Sequence, residues 1–174
     1  MRNVIGIVVI IALGVVGYFF SRSSDQAVGY NDRIIALQTR IVQGMIDFSK
    51  SFDTADKAMM DKKHAQLVST IEGVIKEAKA IEPFDGSSEF RDAAIEMFNF
   101  YDSIAKKEYL EIVNILKKEV PEDTDLARIN EIVESISRRE EQLDAKFQGI
   151  QRAFAQKHNI KLMDNRLQKQ IDNL

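Results

Sequence analysis

Cysteine and tryptophan are absent from this chain of 174 residues, and histidine and proline each occur only twice. Without cysteine there are no disulfides, and thiolate zinc sites, iron–sulfur clusters and thiol catalysis are excluded. With so few prolines and only eight glycines, we expect long helices rather than a turn-rich β protein. Neither sign of charge dominates, because 24 basic residues meet 27 acidic ones, so nucleic-acid binding is not predicted.

A long uncharged run near the N-terminus is the most distinctive feature that is present. Val4 to Phe20 are seventeen residues rich in Val, Ile, Leu and Phe. As a helix they reach roughly 25 Å, slightly less than the ~30 Å hydrocarbon core of a bilayer. A cleaved signal peptide is the alternative, but its apolar region is typically shorter, and Ser21-Arg22-Ser23 is a poor cleavage site. We therefore expect residues 4–20 to contact the lipid bilayer as a retained anchor.

The domain organisation and location follow from this anchor. Residues 1–22 are predicted to be the N-terminal transmembrane segment, and residues 23–174 one helical domain. The very short N-terminal tail, with Arg2, is expected to stay in the cytoplasm, although Arg22, Arg33 and Arg40 weaken the charge bias. The prediction is a single-pass protein of the bacterial inner membrane with its C-terminal domain in the periplasm or outside.

Apolar residues at spacings of three and four predict four long amphipathic helices after the anchor. The first begins at Asp25 and continues to Phe52, the second extends from Met60 to Ile81, the third from Glu89 to Glu119, and the fourth from Leu126 to Phe154. Asp53-Thr54 is a candidate cap for the second helix. Turn residues at 83–88 and Pro121 separate the later helices. A short fifth helix is expected around Leu167, Ile171 and Leu174.

The fourth helix has the most regular pattern. Its apolar stripe alternates spacings of three and four and is interrupted by one acid: Leu126, Ile129, Val133, Ile136, Glu140, Leu143, Phe147, Ile150 and Phe154. This is a heptad repeat. Short connections make consecutive helices antiparallel, so the predicted fold class is all-α, an elongated antiparallel four-helix bundle with a short C-terminal helix. The turn at 83–88 should lie at the end of the bundle where the first helix begins.

Histidine is the natural place to look for a metal or catalytic site. Asp61 lies three residues before His64, on the same helix face, and the two could supply two ligands. A di-iron bundle needs Glu-x-x-His on two helices, which the chain lacks. His64 also lies on the apolar stripe, so we favour a hydrogen-bonded core histidine over a ligand. His158 is interpreted as a residue of a helix C-terminus that ends at Asn159.

Glu140 and a group of aromatic residues are the other candidate contacts. A carboxyl in a bundle core has a raised pKa unless a cation meets it, and we favour a cross-helix Lys or Arg or a local opening of the bundle over a functional site. Phe98, Phe100 and Tyr101 crowd one helical turn and point in different directions. At least one should lie at the core edge, where an exposed ring could bind a partner. A broad core face is the favoured explanation.

Two stretches carry a resemblance to a protein family. Phe90-Arg91-Asp92-Ala93-Ala94, with Phe98-Asn99-Phe100-Tyr101 and the later Phe154–Leu162, resembles uncharacterised bacterial envelope or surface proteins that are exported and helical. The family has no activity to transfer. Tyr30-Asn31-Asp32 after a membrane helix is also similar to the start of LemA proteins, which are anchored bundles. This chain departs from that pattern because it has no Trp and no Pro before Pro83.

The functional expectation combines these observations. The chain has no phosphate-loop, dinucleotide-binding, nucleophile-elbow or zinc-protease motif, so no enzyme, cofactor or metal is predicted. We expect a membrane-anchored, non-enzymatic binding or scaffolding element of the bacterial envelope, with an unidentified envelope protein as partner and a homo-oligomer as a further state. The alternative is an extracytoplasmic small-molecule or ion sensor that binds its ligand in the bundle core near His64 or Glu140.

Overall fold

Four helical rods account for most of the residues that the computed structural model describes, which are 25–54 and 56–162. The helices are α1 (Asp25–Lys50), α2 (Lys57–Lys79), α3 (Glu89–Ile104), α4 (Leu110–Leu116) and α5 (Asp123–Lys157). A π-helical segment, Ala105–Tyr109, joins α3 to α4 in one rod. No strand occurs in these residues. The prediction of an all-helical bundle is therefore confirmed, and α5 alone is about 50 Å long at ~1.5 Å per residue.

The predicted anchor and the predicted C-terminal helix lie outside the described residues. Within 25–54 and 56–162, no helix is both long and apolar enough to cross a bilayer.

Ion pairs between helices show that the neighbouring rods are antiparallel. Lys106 pairs with Glu72 at 2.7 Å, and Lys117 pairs with Asp61 at 2.6 Å. Advancing eleven residues along the α3–α4 rod thus moves eleven residues back along α2. α1 packs on α2, α2 on α3, and α3 on α5, whereas α1 and α5 approach each other less closely. The short connections predicted from the sequence produce this up-down-up-down order.

A mostly apolar core fills the space between the rods. Its largest completely buried side chains include Phe48 from α1, Phe98 and Tyr101 from α3, and Phe147 from α5. Burying one such side chain contributes about 1.5–3 kcal/mol. The core therefore accounts for most of the stabilisation, and polar groups inside it need partners.

The start of α2 differs from the predicted cap at Asp53-Thr54. Ser51–Thr54 instead form a 3-10 turn that continues the end of α1, and the Thr54 hydroxyl donates to the Ser51 carbonyl at 2.8 Å. Asp56 is the cap, because its carboxylate accepts hydrogen bonds from the backbone N–H groups of Ala58 and Met59. The prediction was wrong by two residues because the hydroxyl of Thr54 had a closer backbone partner.

The third predicted helix, Glu89 to Glu119, is not one regular α-helix. It ends at Leu116, and the π segment 105–109 interrupts it. The segment adds one residue to the turn, so buried side chains recur every fourth residue at Tyr101, Ala105, Tyr109 and Val113. That period is longer than the ~3.6 residues of an α-helix. The insertion keeps both ends of the rod facing the core.

The strict heptad predicted for α5 is also corrected. The buried residues are Asp125, Ile129, Ile132, Ile136, Glu140, Asp144, Phe147, Gln151 and Ala155. Their mean spacing is nearer to that of a straight helix than to a 3.5-residue repeat. Leu143 and Ile150 consequently lie at the margin of the core, while Asp144 and Gln151 lie inside it.

The turn at residues 83–88 lies at the end of the bundle where α1 begins, as predicted. Phe84 and Ser87 exchange two backbone hydrogen bonds of 3.0 Å, around Asp85 (φ 51°) and Gly86 (φ 75°). Two consecutive residues with positive φ form a tight turn for which Gly is favoured. The Phe84 ring then packs on Tyr30 of α1, with 5.1 Å between ring centroids.

The C-terminal end of α5 also follows the prediction. Asn159 has a φ of 53°, and the N–H of Ile160 donates to the carbonyl of Ala155 at 2.8 Å. This is a left-handed helix cap. It folds Ile160 back against Ala27 and Ala155, beside the 83–88 turn.

Candidate functional site

A buried carboxyl lies between α5 and α3. Glu140 is 3% exposed, and its Oε1 accepts a hydrogen bond of 2.9 Å from the hydroxyl of Tyr101. The partner is therefore a hydroxyl and not the cross-helix Lys or Arg that we favoured from the sequence. Arg139, the neighbouring cation on α5, pairs with Glu108 at 2.7 Å instead.

A second carboxyl occupies the next turn of α5. Asp144 is 6% exposed, and one of its oxygens accepts a hydrogen bond of 2.5 Å from the amide of Gln148. Its other oxygen, Oδ1, is buried and has no hydrogen-bond partner in the described part of the protein. An unpaired buried acceptor is unfavourable by about 1–3 kcal/mol, so this group needs an explanation.

Burial changes the protonation of both carboxyls. Burial raises the pKa of Glu140 to about 8, against a smaller lowering by the Tyr101 hydrogen bond, and the charge of Asp144 raises it further. Burial also raises the pKa of Asp144 to about 6, although Gln148 and Arg152 lower it. At neutral pH Glu140 is mostly protonated, which is how the core tolerates an acid without a cation.

Two tyrosines complete this group. Burial raises the pKa of Tyr101 well above its usual range, and the nearby Glu140 adds to the effect. Burial and then the charge of Glu140 also raise the pKa of Tyr109, which belongs to the π segment. Both tyrosines therefore stay protonated and can donate hydrogen bonds. The chemistry available to Glu140 and Asp144 is proton binding and release, and Tyr101 donates a hydrogen bond to Glu140.

Two buried, uncharged polar side chains of α1 contact neighbouring helices, Asn31 on α5 and Gln38 on α3. Asn31 accepts a hydrogen bond of 3.0 Å from the amide of Gln151, and both residues are buried. Seven residues along α1, the buried amide of Gln38 approaches the sulfur of Met97 at 3.9 Å. A sulfur is a weak acceptor.

His64 has a backbone partner. Its Nε2 lies 2.7 Å from the carbonyl oxygen of Ala105, so this nitrogen carries the proton and donates it. Ala105 is the first residue of the π segment, and the His64 ring packs on Phe48 with 5.8 Å between centroids. The hydrogen bond ties α2 to the irregular part of the α3–α4 rod.

A metal site at Asp61 and His64 is not formed. The Asp61 carboxylate binds Lys117 at 2.6 Å, while His64 contacts the Ala105 carbonyl. The described part of the chain contains no cluster of three or more His, Cys, Asp or Glu side chains suited to a metal ion. The sensor hypothesis placed the ligand near His64 or Glu140, and these two residues are bound to different partners.

The three aromatic residues predicted as partner contacts are all buried. Phe98 and Tyr101 lie inside the core because α3 packs between α2 and α5 and buries a broad face. Phe100 lies at the core edge, where the guanidinium of Arg139 covers its ring at 5.0 Å from the centroid. The broad core face is the explanation, and this turn offers no exposed aromatic ring.

An open pocket lies instead at the end of the bundle where α1 begins. Its volume is about 160 Å³. Its wall contains the aromatic residues Tyr30, Phe84, Phe90, Phe154 and His158, and we call it the aromatic pocket. The His158 ring packs on Phe84 and Phe154, with centroid distances of 5.1 and 4.6 Å. Lys157, which also lines it, pairs with Asp85 of the adjacent turn at 2.8 Å.

Sequence reasoning missed the polar interior and the aromatic pocket. A signal for the first exists, because Asn31 and Gln38 are seven residues apart, as are Asp144 and Gln151. Such spacing puts each pair on one helix face. The aromatic pocket has no local signal, because residues far apart in the sequence, such as Tyr30, Phe84 and Phe154, form it.

Comparison with known proteins gives no relative. No protein-family model matches the chain, and no curated protein and no solved structure matches it.

Proposed function

We propose that this protein is a membrane-anchored, non-enzymatic helical bundle of the bacterial envelope that acts as a binding or scaffolding element. The uncharged residues 4–20 would hold it in the inner membrane, with the bundle in the periplasm or outside. The partner would be another envelope protein.

One observation carries the proposal. The aromatic pocket lies at the bundle end where α1 begins, only a few residues after the uncharged run. Elsewhere on the described bundle, few large apolar side chains are exposed: Leu110, Val120 and Leu126. A concave site lined by aromatic rings is suited to a protruding apolar or aromatic side chain of a partner. A tethered bundle would present this site close to the membrane.

Membrane attachment is tested by interrupting the apolar run. We expect Val9→Arg/Ile10→Arg to move the full-length protein from the membrane fraction to the soluble fraction, because two charges near the centre of a span oppose insertion by several kcal/mol. Val9→Leu/Ile10→Leu is the matched control and should stay in the membrane. If the wild-type protein leaves vesicles after a mild wash, the anchor is wrong.

Export is tested with the natural absence of cysteine. Val120 is 81% exposed at the end of the bundle opposite the aromatic pocket, so Val120→Cys introduces one accessible thiol. A membrane-impermeant maleimide should label it in intact spheroplasts. Labelling only after lysis would contradict the exported topology.

Binding at the aromatic pocket is tested by photocrosslinking in cells. A photoreactive residue replacing Glu89, which lines the pocket, should give a discrete adduct, and one replacing the exposed Gln66 of α2 should not. Phe154→Ala should remove the adduct from the Glu89 position by widening the pocket. Equal adducts from both positions would argue against the pocket as the binding site.

A second function, an extracytoplasmic ion sensor, is favoured by one specific observation. Glu140 and the unpaired oxygen of Asp144 give the bundle core two groups that exchange protons. The sensed ion would then be the proton. A titration of bundle stability against pH distinguishes this function from scaffolding, because a scaffold requires no such response.

A further inference from the structure

Two carboxyls share one buried stripe of α5. Glu140 and Asp144 are four residues apart, so their Cβ atoms are neighbours at about 5–6 Å on the same helix face. Each is more than nine-tenths buried, and Oδ1 of Asp144 has no hydrogen-bond donor in the described residues. Two negative charges at this separation in a core would repel each other strongly.

The side chains from the other helices supply no compensating charge. α3 supplies the Tyr101 hydroxyl, and the π segment supplies Tyr109. The buried polar side chains of α1 are the uncharged Asn31, Gln38 and Ser49. On the α2 side, His64 packs on Phe48, and the Phe48 ring packs on Tyr109.

The cations of α5 itself act only weakly here. Arg139 pairs with Glu108 and stacks on Phe100, on the outer side of the helix. Arg152 lowers the pKa of Asp144, but its effect is smaller than that of burial and of the Gln148 hydrogen bond. The carboxyl pair is therefore stable inside the bundle only when it keeps protons.

We propose that Glu140 and Asp144 form a proton-operated latch, which holds α5 against the bundle while both carboxyls are protonated and loosens it when they lose their protons. α5 is the element that would move, because it carries both acids and packs less closely on α1 than on α3. The latch requires neither the membrane anchor nor a partner, so its test is independent of the scaffold proposal.

The sign of the pH effect follows from linkage. The pKa of Glu140 is raised from 4.5 to about 8, and that of Asp144 from 3.8 to about 6. Between these limits Glu140 and Asp144 bind more protons in the folded chain than in the unfolded chain, so their joint contribution to stability is highest below these limits and falls as pH rises through them. As pH rises between the ordinary pKa of each group and its raised pKa in the folded protein, that group increases the unfolding equilibrium constant by up to about tenfold per pH unit.

The first experiment measures unfolding of the full-length protein in detergent from pH 5 to pH 9. We expect Glu140→Gln/Asp144→Asn, which keeps the shape and stays neutral, to remove most of the decline in stability between pH 5 and pH 8. The matched control is Glu134→Gln/Glu141→Gln, two exposed acids of the same helix, which should decline like the wild type. Equal pH dependence in all three would overturn the latch.

A second measurement does not depend on how the variant folds. Carboxyl carbon NMR of the wild-type protein reports the titration of each acid, and midpoints of ordinary Glu and Asp for both residues would also overturn the proposal. Hydrogen exchange then locates the motion. From pH 6 to pH 9, after correction for intrinsic exchange, amides of 136–151 should lose more than tenfold protection relative to α2. Equal losses in α2 and α5 would mean general destabilisation and no latch.

Discussion

α2 and α5 both bury one face in the same bundle, but they bury different kinds of side chain. The buried residues of α2 are entirely apolar: Met60, Leu67, Ile71, Val74, Ile75 and Ala78. Four of the nine buried residues of α5 are acids or amides, namely Asp125, Glu140, Asp144 and Gln151. The two helices thus contribute different properties to one fold.

Because of this difference, the stability that α2 contributes and the stability that α5 contributes should depend differently on pH. An apolar face contributes free energy that depends little on pH, because burial of hydrocarbon involves no ionisation. A buried acid contributes a free energy that depends on pH, because it is neutral when protonated and negatively charged when it has lost its proton. α2 is expected to be a fixed support, and α5 an element whose attachment depends on conditions.

The largest effect is predicted for truncation of the α2 face. Ile71 is completely buried, so Ile71→Ala should destabilise the protein by about 2–5 kcal/mol, through lost burial and the cavity left behind. Urea unfolding followed by circular dichroism measures this loss, and it should be the same at pH 6 and pH 8. Gln66→Ala on the exposed side of α2 is the control and should change stability by less than about 0.5 kcal/mol. A loss of stability that depends strongly on pH would contradict the expectation that α2, unlike α5, stabilises the protein independently of pH.

A smaller effect is predicted at the α3–α5 contact, where Tyr101 lies, and Tyr30 of α1 provides the matched control. Tyr101→Phe removes the donor to Glu140 and should destabilise the protein by about 1–3 kcal/mol, more at pH 8 than at pH 6. Tyr30→Phe removes a buried hydroxyl that has no hydrogen-bond partner among residues 25–54 and 56–162, so it should be neutral or slightly stabilising. Urea unfolding of both variants tests the pair. Similar losses of stability in the two variants would show that the Tyr101–Glu140 hydrogen bond does not contribute to stability.

The same contrast explains how much of the fold the sequence predicts. The buried residues of α2 coincide with an apolar pattern of period near 3.6, so helix class, approximate bounds and bundle order follow from the sequence. The turn at 83–88 and the cap at Asn159 follow from local residue chemistry. These features depend on neighbours within a few positions.

The features that the sequence does not predict depend on contacts between helices. Leu143 and Ile150 were predicted to face the core, but α5 is rotated so that Asp144 and Gln151 lie deeper. Only the presence of Asn31 and Tyr101 on facing helices makes this rotation favourable, because they bind Gln151 and Glu140. The π segment is similarly invisible to a fixed helical period. Of the two carboxyls, the sequence therefore predicted Glu140 and missed Asp144. Tyr101 was predicted as an aromatic contact and not as the hydroxyl partner of Glu140.

The smallest effect is predicted at the contact between α2 and the π segment of the α3–α4 rod. His64→Ala removes the side-chain hydrogen bond from α2 to the Ala105 carbonyl and should destabilise the protein by about 1 kcal/mol. The loss is small because His64 is half-buried, so water can reach the carbonyl through the space that its ring leaves. His64→Gln keeps an N–H donor and should lose less. Hydrogen exchange at residues 101–113 should rise in the alanine variant while α5 is unchanged at pH 6. If exchange rises in α5 as well, the π segment and the carboxyl pair are coupled, and α2 is more than a passive support.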